Sequence, residues 1–178
     1  MKQKSNIIYD ISLTALFTAV IVVCSWISVS FSAVPFTLQT LGVFTAIAVL
    51  GLRRGTAAVG FYIVLGLIGL PVFHSFQGGF GILMGSTGGF LIGLLFSTFV
   101  IGLINLKFGK SLINLIISMC VGQVIVYLCG VLWFVFVYGS ESSFVIVLLT
   151  AVVPFIFTDI LKIFLAAIIS VRVSKYVK

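Results

Sequence analysis

Charge is what this sequence has least of. Only 7% of its 178 residues are Asp, Glu, Lys or Arg, and its three acids are Asp10, Glu141 and Asp159. So little charge, beside 62% hydrophobic residues and a mean hydropathy of +1.40, excludes a soluble globular domain and indicates an integral membrane protein. Cysteine is scarce as well. Cys24, Cys120 and Cys129 fall inside apolar runs, with no C-x-x-C pair and no histidine nearby. They read as small packing residues rather than metal ligands or a disulfide framework. The one histidine, His74, has no second His or Cys close in sequence, so a solvated loop ring is its default and no metal site is expected. No serine or cysteine has a partner base suited to nucleophilic catalysis. Phosphate-binding patterns fail too: Gly109-Lys110-Ser111 needs a glycine where Ile104 stands, and Gly79-Phe80-Gly81 meets Met84 in place of its third glycine. The chain thus carries no visible catalytic constellation, no cofactor motif and no means of its own to hydrolyse ATP.

What is present is a series of long apolar runs. They lack the period-two alternation of barrel strands, so helices are the spanning element. The reading is an all-α bundle of six transmembrane helices, over about 9–29, 37–52, 56–70, 85–106, 112–138 and 144–173, forming one membrane domain. The first run, at about 19 residues, exceeds the roughly 7–15 of a signal-peptide core and is read as a retained span. Spans two and three are only about 15–16 residues long, short of the roughly 20 that cross comfortably. Short spans beside long ones leave an outer depression, which the Gly-rich loop 71–84 would roof.

The net charge of +7 gains its meaning from distribution. Lys2, Lys4, Arg53, Arg54, Lys107, Lys110, Arg172, Lys175 and Lys178 sit at span ends, all on alternate loops or at the termini, and the opposite loops hold no basic residue. By the positive-inside rule both termini are cytoplasmic. This is a topology signal, and a nucleic-acid partner is not expected.

Lys162 is the tenth base, and it lies within span six, three residues after Asp159. Three residues apart on a helix, the two share a face. Either costs roughly 3 kcal/mol at a span's centre. They read as a structural ion pair or as contacts to a polar group of a bound molecule. Counting helical rise from each span's entry, Asp159 is ~22 Å in from outside and Gln123 ~17 Å up from inside, with Tyr127 one turn further out. The four lie at comparable depth and can converge, although interhelical hydrogen bonding alone also accounts for Gln123 and Tyr127. Gly81, Gly85, Gly89 and Gly93 repeat every fourth residue, with Gly88 alongside, a ridge for close helix packing. Its top, Gly85 to Gly89, opens span four, where free N–H groups can hold an acceptor oxygen. Ala15 and Ala19 make a small-x-x-x-small face on span one.

Four motifs taken in order resemble the BioY family. They are Val34-Pro35-Phe36-Thr37-Leu38-Gln39-Thr40, Gly69-Leu70-Pro71-Val72-Phe73, Gly85-Ser86-Thr87-Gly88-Gly89-Phe90, and Pro154 through Lys162. The resemblance implies a biotin-binding S component of an energy-coupling factor (ECF) transporter: six helices in a bacterial cell membrane, partnered by a transmembrane coupling subunit and two ATP-binding subunits. It implies biotin as ligand, with Asp159 and Lys162 beside it and Phe73, Phe90, Tyr127 and Trp133 enclosing its ring and tail. Gln39, Gln77, Gly88 and Gln123 complete the expected site, and Ala15/Ala19 resembles the face that docks on the coupling subunit. Some positions depart from the family pattern. Ser86 stands where Pro is common, Phe90 where Tyr is frequent, and Thr158 where Gly precedes the acid; Gln77 replaces an arginine of some relatives, so no ionic contact is carried over there. The alternative class is a stand-alone facilitative or proton-coupled vitamin transporter, in which Asp159 carries the proton. A membrane enzyme or scaffold is disfavoured by the missing catalytic set.

Overall fold

The computed structural model of the chain describes residues 7–29, 35–137 and 144–177. Lys2, Lys4, Lys178, Val34 and the expected turn bearing Glu141 lie outside the described residues. Among the described residues, five helices are long and apolar enough to cross a membrane: α1 (Ile7–Trp26), α2 (Gln39–Leu67), α4 (Gly88–Phe108), α5 (Leu112–Phe136) and α7 (Val153–Val173). Two short helices, α3 (Phe80–Met84) and α6 (Phe144–Ala151), and a two-stranded ribbon of β1 (Ser28–Val29) with β2 (Phe36–Thr37) complete the order.

α2 is broken at Gly51, whose φ of 78° and ψ of 178° no helix contains. The chain folds back there: a Cβ on Gly55 would lie 2.7 Å from the Cα of Ile47, whereas eight residues along one helix span ~12 Å. The two arms fall in the segments expected as spans two and three. The turn itself differs from expectation, because it falls at Gly51 and leaves Arg53, Arg54 and Gly55 helical. A positive φ is cheap only for glycine, so the break goes to the glycine ahead of the basic pair. The first arm is buried nearly all round through Val43, Phe44, Ala46, Ile47 and Ala48, which makes it the centre of the core.

The second arm runs alongside α1 in the same direction. Asp10 pairs with Arg54, Thr18 Oγ1 donates to the Ala58 carbonyl at 3.1 Å, and Tyr62 Oη donates to Ser25 Oγ at 3.0 Å. At the Asp10 end, Lys110 Nζ donates to the Val49 carbonyl at 3.2 Å, a cation at the C-terminus of the first arm. Partial burial lowers the pKa of Lys110. The segments bearing Arg54 and Lys110 therefore meet at one end of the bundle, together with the start of α1.

Span six is not one helix. Val152, at φ −124° and ψ −55°, separates α6 from α7, and Pro154 follows in the first turn of α7. Proline lacks the N–H that a continuous helix would need and its ring crowds the carbonyl four residues back, so the apolar run breaks where hydropathy alone reads through. The loop after α2 is likewise less irregular than expected, since it contains a 3-10 turn at His74–Phe76 and then α3.

α4 and α5 pack through the glycine ridge. A Cβ on Gly89 would fall 2.2 Å from Trp133 Cβ and 2.5 Å from the Cys129 carbonyl oxygen, and one on Gly93 would fall 2.9 Å from Val126 Cα. Gly81 has nothing within 4 Å of such an atom, so the ridge works from Gly89 inward. Gly89→Ala is expected to destabilise the detergent-solubilised protein by about 1–3 kcal/mol, because backbone must move to admit one methyl. Gly60→Ala, where nothing lies within 4 Å, should be neutral or slightly stabilising. Thermal unfolding of the two variants side by side checks the pair.

Candidate ligand-binding site

α2, α4, α5 and α7 line one open cavity, a concave setting of the kind in which small molecules bind between helices. α7 brings in Asp159 and Lys162 from the turns after its break, with Phe155 above them. Asp159 and Lys162 are each only 6% exposed. Lys162 Nζ donates to Asp159 Oδ1 at 2.7 Å. From α5, Gln123 Nε2 donates to Oδ2 at 2.9 Å and Tyr127 Oη donates to the same oxygen at 2.5 Å. Three donors on one carboxylate offset much of the desolvation that burial imposes. The ammonium also stands over the Phe36 ring, 4.2 Å from its centroid, a cation–π contact strengthened by the dry setting.

The three donors leave the carboxylate one of its roughly four acceptor positions, and polar groups around the cluster are open as well. Gln123 Oε1, Gln39 Nε2, Thr40 Oγ1 and His74 Nδ1 are buried polar atoms without a hydrogen-bond partner among the described residues, and all four residues line the cavity. Unpaired buried polar atoms are costly and uncommon in folded proteins. Four of them around one cavity suit a polar ligand. Apolar walls from Phe73, Phe90, Leu91, Leu94 and Val126 complete the lining.

Of the residues expected at the site, Asp159, Lys162, Gln123, Tyr127, Gln39, Phe73 and Phe90 line this cavity. Gln77, Trp133 and Gly88 do not. Gln77 is exposed beyond the 3-10 turn. Trp133 donates from Nε1 to the Gly85 carbonyl at 3.2 Å, fastening α5 to the segment before α4. Gly88 is pressed against the chain, its added Cβ falling 1.7 Å from the Leu83 carbonyl oxygen. The N–H groups expected to open span four are partly engaged, with Phe90 N donating to Thr87 O at 3.1 Å.

Sequence reading missed Phe36, His74, Thr40 and Phe155 as cavity residues. Phe36 and Thr40 flank Gln39 in a motif already singled out, so that motif was the available signal. His74 was assigned a solvated ring, but the structure holds it partly buried, and burial lowers its pKa. The loop that carries it is tied to α1: Trp26 Nε1 donates to the Pro71 carbonyl at 2.8 Å, and the Trp26 and Phe76 rings lie 4.9 Å apart. Gly66 leaves room for the Phe73 ring, which would lie 2.0 Å from a Cβ there. Ala15 and Ala19 are exposed on α1, in a broad groove between α1 and the second arm of α2, and do not line the cavity.

Bundle and cavity together define a class, a multi-pass membrane protein with an open cavity of mixed polarity among its helices. The sequence profile of the BioY family matches residues 1–178. A biotin transporter BioY of Thermotoga maritima is 42% identical over 160 residues, covering 90% of this chain and 92% of its own. A probable biotin transporter BioY of Pyrococcus horikoshii is 37% identical, covering 93% and 96%. A crystal structure of the S-component for biotin from an ECF-type ABC transporter matches with a TM-score of 0.88 at 30% identity, over 98% of this chain and 95% of that one. The chain belongs to the BioY family.

Proposed function

We propose that this chain is the biotin-binding subunit of a transporter, taking biotin from outside a bacterial cell and delivering it through an ATP-driven ECF module. It is a transport subunit rather than an enzyme, and ATP hydrolysis falls to two partner ATP-binding subunits acting through a transmembrane coupling subunit. The observation that carries the reading is the buried Asp159–Lys162 pair on the wall of a cavity with further unsatisfied polar atoms. Biotin's ureido ring offers two N–H donors and one carbonyl acceptor. Asp159 and Gln123 Oε1 provide acceptors, and Lys162 has three donor positions of which Asp159 takes one. Phe73, Phe90 and Leu94 supply apolar walls for the sulfur ring and methylene tail.

Six crossings follow if each arm of α2 spans the bilayer and α6 with α7 forms the last crossing, the whole chain acting as one membrane domain. The meeting of Arg54, Lys110 and the start of α1 at one end supports a cytoplasmic N-terminus. Transport then requires the partners to bind one conformation or orientation of this subunit more tightly than another. A gradient-driven carrier working alone is the weaker reading. The crystal structure that matches over 98% of this chain is of an S-component from an ECF-type ABC transporter.

Calorimetric titration of the purified chain in detergent tests the ligand. Biotin should bind, desthiobiotin less tightly, and unrelated vitamins not at all. A chain that ignores biotin, or treats all these ligands alike, is not a biotin-binding subunit.

A further inference from the structure

The Asp159 cluster leaves part of the cavity's polarity unused. Gln39 Nε2, Thr40 Oγ1 and His74 Nδ1 lack partners among the described residues, and Gln39 is itself only 8% exposed. The three residues come from two separate elements, the start of α2 and the loop ahead of α3, yet line one cavity. Their chemistry agrees. An amide nitrogen only donates, a hydroxyl donates readily, and a neutral imidazole carries one N–H. Burial lowers the His74 pKa, which favours the neutral ring at pH 7. Gln39 and Thr40 also open a helix, where the backbone presents N–H groups and the positive end of its dipole. One acceptor group would satisfy all three, with the His74 proton on Nδ1.

We propose that Gln39, Thr40 and His74 form a second polar subsite that receives the carboxylate at the end of the bound vitamin's tail. The assignment rests on the reading of this chain as a biotin-binding subunit. It divides recognition between a charged cluster for the ureido ring and a set of neutral donors for the tail's anion. His74 sits beside Phe73 and two left-handed residues, Ser75 at φ 53° and Phe76 at φ 58°. That unusual backbone holds the loop so that the His74 side chain reaches the cavity while Phe76 lies against Trp26.

Titration of the detergent-solubilised full chain with biotin, and with an analogue whose tail ends in a methyl group, tests the subsite. The unaltered protein should prefer biotin by roughly tenfold to a hundredfold, the range for hydrogen bonds to a charged group. His74→Ala and Gln39→Leu should each shrink that preference about tenfold while leaving the methyl analogue's affinity unchanged. His74→Asn, whose amide restores a donor near the Nδ1 position, should recover most of it, and unfolding temperatures should confirm that each variant is folded. Equal losses for both ligands would reduce these residues to packing, and an unaltered preference would remove them from tail recognition; either result overturns the subsite. If the unaltered chain binds neither ligand, the biotin reading itself falls.

Discussion

Asp159→Asn is expected to lower biotin affinity about tenfold to a hundredfold and to destabilise the bundle as well. The substitution keeps size and shape but replaces the anion that Lys162, Gln123 and Tyr127 all address. A ligand N–H loses a charged acceptor, worth about 1.5–3 kcal/mol. Lys162 is then a buried ammonium with no counter-charge in a cavity where it is only 6% exposed. Removing one partner of such a pair costs about 3–5 kcal/mol of stability. The two effects separate in a double variant. Asp159→Asn with Lys162→Met removes the stranded charge, so unfolding temperature should recover while biotin binding stays lost. Recovery of binding along with stability would mean that the pair only holds the helices together. Full affinity in Asp159→Asn alone would take the carboxylate out of the site.

Much of this site was legible because helices impose a period. Asp159 and Lys162 three residues apart had to share a face, and depth counted from the ends of the spans brought Gln123 and Tyr127 to the same level; all four meet. The glycine ridge was legible for the same reason, and Gly89 and Gly93 do carry the α4–α5 contact. Loops have no such period. Gln77 and His74 stand three residues apart in one loop, and nothing in their spacing says which faces the cavity; the two left-handed residues between them decide it. Trp133 was placed correctly on α5 but its indole turns to the Gly85 carbonyl, a partner 48 residues away in sequence. The break before α7 was visible as Pro154, yet the hydropathy of 144–173 masks it. Gly51 outcompeted Arg53-Arg54-Gly55 for the turn because backbone conformation, not charge, sets where a helix can reverse.

Replacing Ala15 or Ala19 with Trp is expected to abolish biotin uptake in cells that contain the coupling and ATP-binding subunits, while leaving biotin affinity unchanged. The two alanines are exposed one turn apart on α1. The opposite face of that helix is buried through Phe17 and Ile21, so an indole at either alanine projects away from the core and costs this subunit little. Neither residue lines the ligand cavity. Their groove is lined by Thr14, Thr18 and Ala57 together with larger residues such as Trp26, Phe61 and Leu65; the short side chains let a partner helix approach closely, and one indole among them keeps the backbones apart. In the proposed ECF arrangement, partners that no longer favour one conformation of this chain leave ATP hydrolysis nothing to act through. Calorimetry on the purified variants and labelled-biotin uptake in cells should therefore disagree, with normal binding beside background transport. Loss of binding would place the damage inside the bundle. Normal uptake would move the docking surface away from α1, and Gly60→Trp on the second arm of α2, equally open to an added side chain, would be the next position to try.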